Sequence, residues 1–135
     1  MDISEKLPKN SSGLSGEYFV AAELYRRGFS VGLTIGNAKA IDILAEKDGK
    51  AFQIQVKTIR SKKSVGWPLM EHQIKENVIY ILVNLNLEEQ PDYYIMSPDE
   101  IRKFHKQYKT RGIVNMSPVH KEGSYLNNWK SINKF

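Results

Sequence analysis

Residues 40–57, AIDILAEKDGKAFQIQVK, constrain this chain more than any other stretch. Asp48-Gly49 is a strong two-residue turn signal, because both central positions of a type I′ turn need positive φ. The flanks alternate. Ile41, Ile43 and Ala45 share one parity before the turn, and Phe52, Ile54 and Val56 share one parity after it. A period of two with one apolar face predicts a pair of antiparallel strands. With Asp48 and Gly49 as the loop, Lys47 pairs with Lys50, Ile43 with Ile54 and Ile41 with Val56. The same register sets Asp42 across from Gln55, with roughly 4.5–5.5 Å between Cβ atoms. Lys57 follows two residues further on the same face. A slip of one residue would bury Asp42 and Lys57 and expose the isoleucines, so the pattern fixes its own register.

The chain before the hairpin predicts a helix over 14–27 behind a loose lead-in, residues 1–12. Ser12 or Ser15 is placed to cap it, Gly28 to stop it, and Arg26 and Arg27 to meet the negative end of its dipole. Its buried stripe reads Glu17, Val20, Ala21, Leu24. The dipole accounts for an acid in the first turn but not for the alignment of Glu17 with an apolar face. Glu23 lies off that stripe and is expected in solvent. A first strand follows at 29–35, ended by Gly36-Asn37.

Beyond Lys57 the sequence turns basic, with Arg60, Lys62 and Lys63 ahead of Gly66-Trp67-Pro68 in what reads as a loop. A short helix is expected within 69–76, with His72 structural or exposed. The run VIYILVNL, 78–85, reads as a strand buried on both faces, and 92–96 as another. Ser97-Pro98-Asp99-Glu100 is a helix start: a capping serine, Pro at the first helical position, and Glu closing a capping box. That helix is expected to reach about Tyr108, with His105 on the surface. A short strand at 113–116 and a last helix from Ser124, packing Tyr125, Leu126 and Trp129 together, complete the chain.

This order predicts an α/β fold with a mixed central β-sheet flanked by helices. With Ile41-Asp42 in one hairpin strand and Gln55-Val56-Lys57 in the next, the chain resembles the PD-(D/E)XK nuclease superfamily, whose core is restriction-endonuclease-like. The resemblance covers about residues 14–96. The usual Pro before the Asp is absent, and Gln55 makes the second motif a Q-x-K variant, similar to methylation-dependent restriction enzymes of the superfamily. The later part also looks like small bacterial PD-(D/E)XK-like proteins. In the superfamily the helix before the hairpin carries a Glu, which here is Glu17.

The resemblance implies a metal-dependent endonuclease that hydrolyses DNA phosphodiester bonds in restriction, repair, junction or mobile-element processing. It implies Glu17, Asp42, Gln55 and Lys57 as catalytic residues. It further implies Mg²⁺ or Mn²⁺ on Asp42, Glu17, the Gln55 amide oxygen and the Val56 carbonyl. An oxygen-only set suits a hard divalent cation, and Lys57 would orient or deprotonate the attacking water and offset phosphate charge. Gln55 in place of an acid removes one negative charge from the site. Arg60, Lys62 and Lys63 would meet DNA phosphates. The alternative is a catalytically inactive nucleic-acid-binding or interaction module on the same fold. Convergence of Glu17, Asp42, Gln55 and Lys57 around one metal-sized space separates the two.

Composition narrows the field further. The 135 residues suffice for one domain, 1–135. A net charge of +5 favours a polyanionic partner, though such charge also occurs in proteins that bind no nucleic acid. The absence of cysteine excludes disulfides, thiolate zinc sites and a Cys nucleophile. No Ser/His/Asp or His-rich set appears. No apolar run approaches the ~18 residues of a membrane span, and MDISEKLPKN has no signal-peptide core. A cytoplasmic protein without membrane contact is expected. A single small nuclease domain would act on both strands as a homodimer.

Overall fold

The hairpin forms as its sequence dictates. Asp48 and Gly49 both take positive φ, 53° and 77°, and the strands on either side pair from Lys47↔Lys50 to Ile43↔Ile54. The computed structural model describes Pro8 and residues 10–34 and 41–135. Gly36-Asn37, Ala40 and most of the lead-in lie outside the described residues.

In chain order, helix α1 (Ser11–Arg26) is followed by strands β1 (Ser30–Leu33), β2 (Ile43–Lys47), β3 (Lys50–Ile59) and β4 (Gly66–Pro68). After a 3-10 turn at Glu71–Gln73 come β5 (Val78–Asn84), β6 (Asp92–Met96) and α2 (Pro98–Phe104). Strands β7 (His105–Gln107) and β8 (Gly112–Asn115), helix α3 (Met116–Glu122) and a terminal 3-10 segment, Trp129–Lys134, complete the fold. Five strands make one sheet in the order β1-β2-β3-β5-β6. It is mixed: β3 and β5 run parallel and the other neighbours antiparallel. A parallel pair needs a crossover; here residues 60–77 supply it with β4 and a 3-10 turn rather than the expected α-helix.

Strand alternation splits the core in two. Ile43, Ile54, Ile81 and Ile95 face α1 and Trp129, while Tyr80, Leu82, Tyr94 and Met96 face the opposite way, toward Trp67, Ile101 and Val114. β5 is buried along its whole length, as VIYILVNL requires. The second face is covered by α2, α3 and a small sheet of order β4-β8-β7. On β2, Leu44 and Glu46, whose parity is opposite to Ile43 and Ala45, remain exposed.

Several expectations are corrected. α1 begins at Ser11, ahead of both predicted caps, and Ser15 Oγ donates instead to the Ser11 carbonyl. Its C-terminal stop is Gly28, as expected, at φ 90°, with Phe29 N–H returning to the Leu24 carbonyl. Glu23 is half-buried rather than free in solvent; it pairs with Arg27 at 2.6 Å and Arg26 at 3.3 Å. Gly66-Trp67-Pro68 is a strand rather than a loop, because Trp67 is fully buried and its Nε1–H donates to the Val83 carbonyl at 2.9 Å. The capping box at Ser97 and Glu100 forms as predicted, but α2 stops at Phe104. There β7 takes over, and His105 Nε2 lies 2.6 Å from the Leu69 carbonyl oxygen instead of in solvent. The last segment is not one packed helix: Tyr125 joins the second core and Trp129 the first.

One close approach sets where α1 lies. A methyl group at Gly16 would stand 1.9 Å from Thr58 Oγ1 and 2.9 Å from its Cβ. Thr58 is β-branched and cannot swing away cheaply. Gly16→Ala should therefore lower unfolding stability by about 1–3 kcal/mol, despite a helix-propensity gain of up to about 1 kcal/mol. Urea denaturation would measure it, and adding Thr58→Ala should recover part of the deficit.

Candidate active site

The β2–β3 ladder ends at Ile43↔Ile54, and the site is built on that ending. The hairpin register predicts that Asp42 continues it opposite Gln55. Instead the Asp42 N–H donates to the Ile54 carbonyl at 2.9 Å, so that Asp42 and Ile43 both address Ile54, the two-against-one count of a β-bulge. The carboxylate turns into the plane of the sheet, where Asp42 Oδ2 accepts the Val56 N–H at 2.8 Å. Thr34 braces the same residue from β1's side: its N–H donates to the Asp42 carbonyl at 3.0 Å, and its hydroxyl donates to the Ile41 carbonyl at 2.5 Å. Asp42 is 8% exposed.

The amide that Asp42 holds is the peptide bond between Gln55 and Val56. In an extended strand the N–H and C=O of one residue address the same neighbour, so the Val56 carbonyl also points to the edge beyond the end of β2. Gln55 and Lys57 sit opposite Tyr80 and Leu82 of β5 in register, which puts them on the second face of the sheet. Gln55 is 6% exposed, and its side-chain oxygen Oε1 is buried without a hydrogen-bond partner among the described residues. Lys57 is half-buried. The basic residues begin one position past the end of β3: Arg60 half-buried, Lys62 and Lys63 exposed.

Glu17 comes from the other side. α1 packs on the first face, and the residue next to Glu17, Gly16, touches Thr58, the residue next to Lys57. Glu17 itself is half-buried. Asp42, Gln55 and Val56 are thus brought into immediate proximity, Lys57 follows on the strand, and Glu17 flanks the same end of β3 across the sheet. Among the described residues no three His, Cys, Asp or Glu side chains form a cluster that could hold a metal ion. The Thr34 brace has no signature in the sequence, because it depends on β1 lying beside β2.

A five-stranded mixed sheet with this helix order matches the restriction-endonuclease-like fold. The structure is similar to that of a bacterial homing endonuclease, I-Ssp6803I, with a TM-score of 0.67 and 14% sequence identity over 96% of this chain and 94% of that one. It is also similar to Hjc, a Holliday junction resolvase from the archaeal hyperthermophile Archaeoglobus fulgidus, with a TM-score of 0.57 and 14% identity over 82% of this chain and 93% of that one. No protein-family model and no curated protein sequence matches the chain. Among the described residues no helix is long and apolar enough to cross a membrane.

Proposed function

We propose that this chain is a metal-dependent endonuclease acting on DNA, with its site at the end of the β2–β3 ladder. The observation that carries the reading is Gln55 Oε1, a buried acceptor without a hydrogen-bond partner among the described residues, on the residue just before the Val56 N–H that the buried Asp42 carboxylate accepts. Native interiors satisfy nearly all such atoms, so a polar ligand or cation at this place would offset an otherwise costly burial. The donors are all oxygens: Asp42, Glu17, Gln55 Oε1 and the Val56 carbonyl. That set suits Mg²⁺ or Mn²⁺. When bound, such an ion supplies Lewis-acid polarisation of the phosphoryl group and a more acidic water.

The chain's own residues do the rest. Asp42 fixes the geometry, since its backbone and carboxylate are both held. Lys57 stands beside the oxygen set, where its ammonium orients the attacking water, manages its proton and offsets phosphate charge. Arg60, Lys62 and Lys63 hold the flanking phosphates. Cutting both strands of a duplex would take two copies.

The lack of a third acid gives the second reading its footing: with an amide at position 55 the site holds an ion through fewer charges, and a binding module without catalysis is the consequence if affinity falls too far. A cleavage assay on supercoiled, linear, branched and single-stranded DNA, in Mg²⁺ or Mn²⁺ with a chelator control, separates the readings. Chelator-sensitive cleavage is expected. Binding without cleavage in either metal selects the inactive module, and neither binding nor cleavage sinks both.

A further inference from the structure

Positive charge is distributed unevenly along the chain. Residues 101–121, IRKFHKQYKTRGIVNMSPVHK, contain six Lys and Arg and no Asp or Glu, leaving fourteen cations against fifteen acids elsewhere. The whole positive excess therefore lies in this segment. Its centre is the β7–β8 hairpin, whose residues 106–111, KQYKTR, are all exposed.

Not every cation there is available. Arg102 is bound by Glu76 and Asp99, and Lys103 lies over the Phe104 ring. Lys106, Lys109 and Arg111 make no ion pair among the described residues. With them at the tip stands Tyr108, 54% exposed.

The hairpin is held in shape. Tyr108 N–H donates to the Arg111 carbonyl at 2.7 Å, and Gln107 Nε2 donates to the carbonyls of Tyr108 and Arg111. Gln107 Oε1 in turn accepts the Glu71 N–H, which places one acidic residue at the hairpin's base. At Gly112 any side chain would meet the Leu69 carbonyl oxygen at 2.2 Å. A braced tip loses little conformational freedom on binding.

Its position relative to the candidate site is favourable. The small sheet covers the face on which Gln55 and Lys57 lie. The basic loop after β3 meets the C-terminal end of β8, where Met116 N–H donates to the Val65 carbonyl. The hairpin tip is at the other end of β8, on the order of 10 Å away at about 3.3 Å per residue. That separation corresponds to roughly three base-pair steps of a duplex, at about 3.4 Å each.

Resting on the nuclease reading, we infer that the β7–β8 hairpin, through Lys106, Lys109, Arg111 and Tyr108, is a second contact surface for double-stranded DNA that engages the duplex about three base-pair steps from the basic loop after β3. A two-stranded ribbon fits the major groove, about 12 Å wide, and its cations meet the phosphates along the groove.

Binding of a fluorescent duplex by the full chain, titrated over a range of salt, tests this. The variant Lys106→Gln/Lys109→Gln/Arg111→Gln is compared with a matched control of equal charge change, Lys50→Gln/Lys130→Gln/Lys134→Gln. The hairpin variant should bind at least about tenfold more weakly near 0.1 M salt. Its slope of log affinity against log salt should flatten by about 0.9 for each phosphate no longer neutralised. Lys109→Gln alone should show about one such step and guards against a triple variant that misfolds. A hairpin variant that binds duplex as well as the control overturns the proposal, as does one that is weakened only toward single strands. A wild-type chain that binds no DNA would instead sink the nuclease reading itself.

Discussion

Asp42→Asn should abolish metal-dependent cleavage while leaving a folded protein. The side chain is buried and its Oδ2 accepts the Val56 N–H at 2.8 Å. Asp42→Ala would strand that buried N–H, at a cost of about 1–3 kcal/mol, and would confound impaired chemistry with impaired folding. Asparagine keeps an acceptor oxygen of the same reach and removes only the charge. If Asp42 is the principal anionic ligand, the effect amounts to several kcal/mol of transition-state stabilisation, or about 10³-fold or more in rate. Thermal unfolding should move by only a few degrees. Single-turnover cleavage and a melting curve on the same preparation measure both, and cleavage that survives at wild-type rate would place the site elsewhere.

The hairpin and the five-stranded sheet were legible in the sequence because they rest on local rules. Asp48-Gly49 can turn only in a few ways, and alternation fixes which residues face the core. The capping box at Ser97 and the buried run at 78–85 are equally local. What local rules missed was decided by partners distant in sequence. β7 reads as the continuation of a helix, since IRKFHKQY has ordinary helix formers, yet pairing with β8 overrides that propensity. Trp67 in a Gly-Trp-Pro segment reads as a loop until its partner, the Val83 carbonyl, is in place.

The candidate site was legible in composition and only partly in geometry. Register placed Asp42 opposite Gln55 with Lys57 on the same face; Gln55 and Lys57 do share a face, but Asp42 leaves the register. The bulge at Asp42 was hidden, because nothing in Ile41-Asp42-Ile43 signals that the ladder stops and the carboxylate turns toward a backbone amide. The approach of Glu17 across the opposite face was also beyond a helical-stripe argument, which assigns a residue to the core side without saying which part of the sheet it meets. Gly16 against Thr58 supplies that information.

Lys57→Ala should slow the chemical step by about 10²–10⁴-fold if its ammonium manages a proton in the transition state. Lys57 lies on the same strand as Gln55 and Val56 but contributes no oxygen, so metal affinity, read by calorimetry with Mn²⁺, should change little. DNA affinity should fall modestly, by the one charge removed. Lys57→Arg distinguishes what the ammonium does. Arginine keeps the positive charge and the phosphate contact but cannot act as a proton-transfer base at ordinary pH. Recovery of rate in Lys57→Arg would mean that charge offset is the main role; failure to recover, with DNA binding restored, would mean proton transfer. A Lys57→Ala variant that cleaves at the wild-type single-turnover rate would remove Lys57 from the site altogether. The same assay extended to Gln55→Glu asks whether restoring an acid tightens metal binding, which the fewer charges around Gln55 Oε1 lead one to expect.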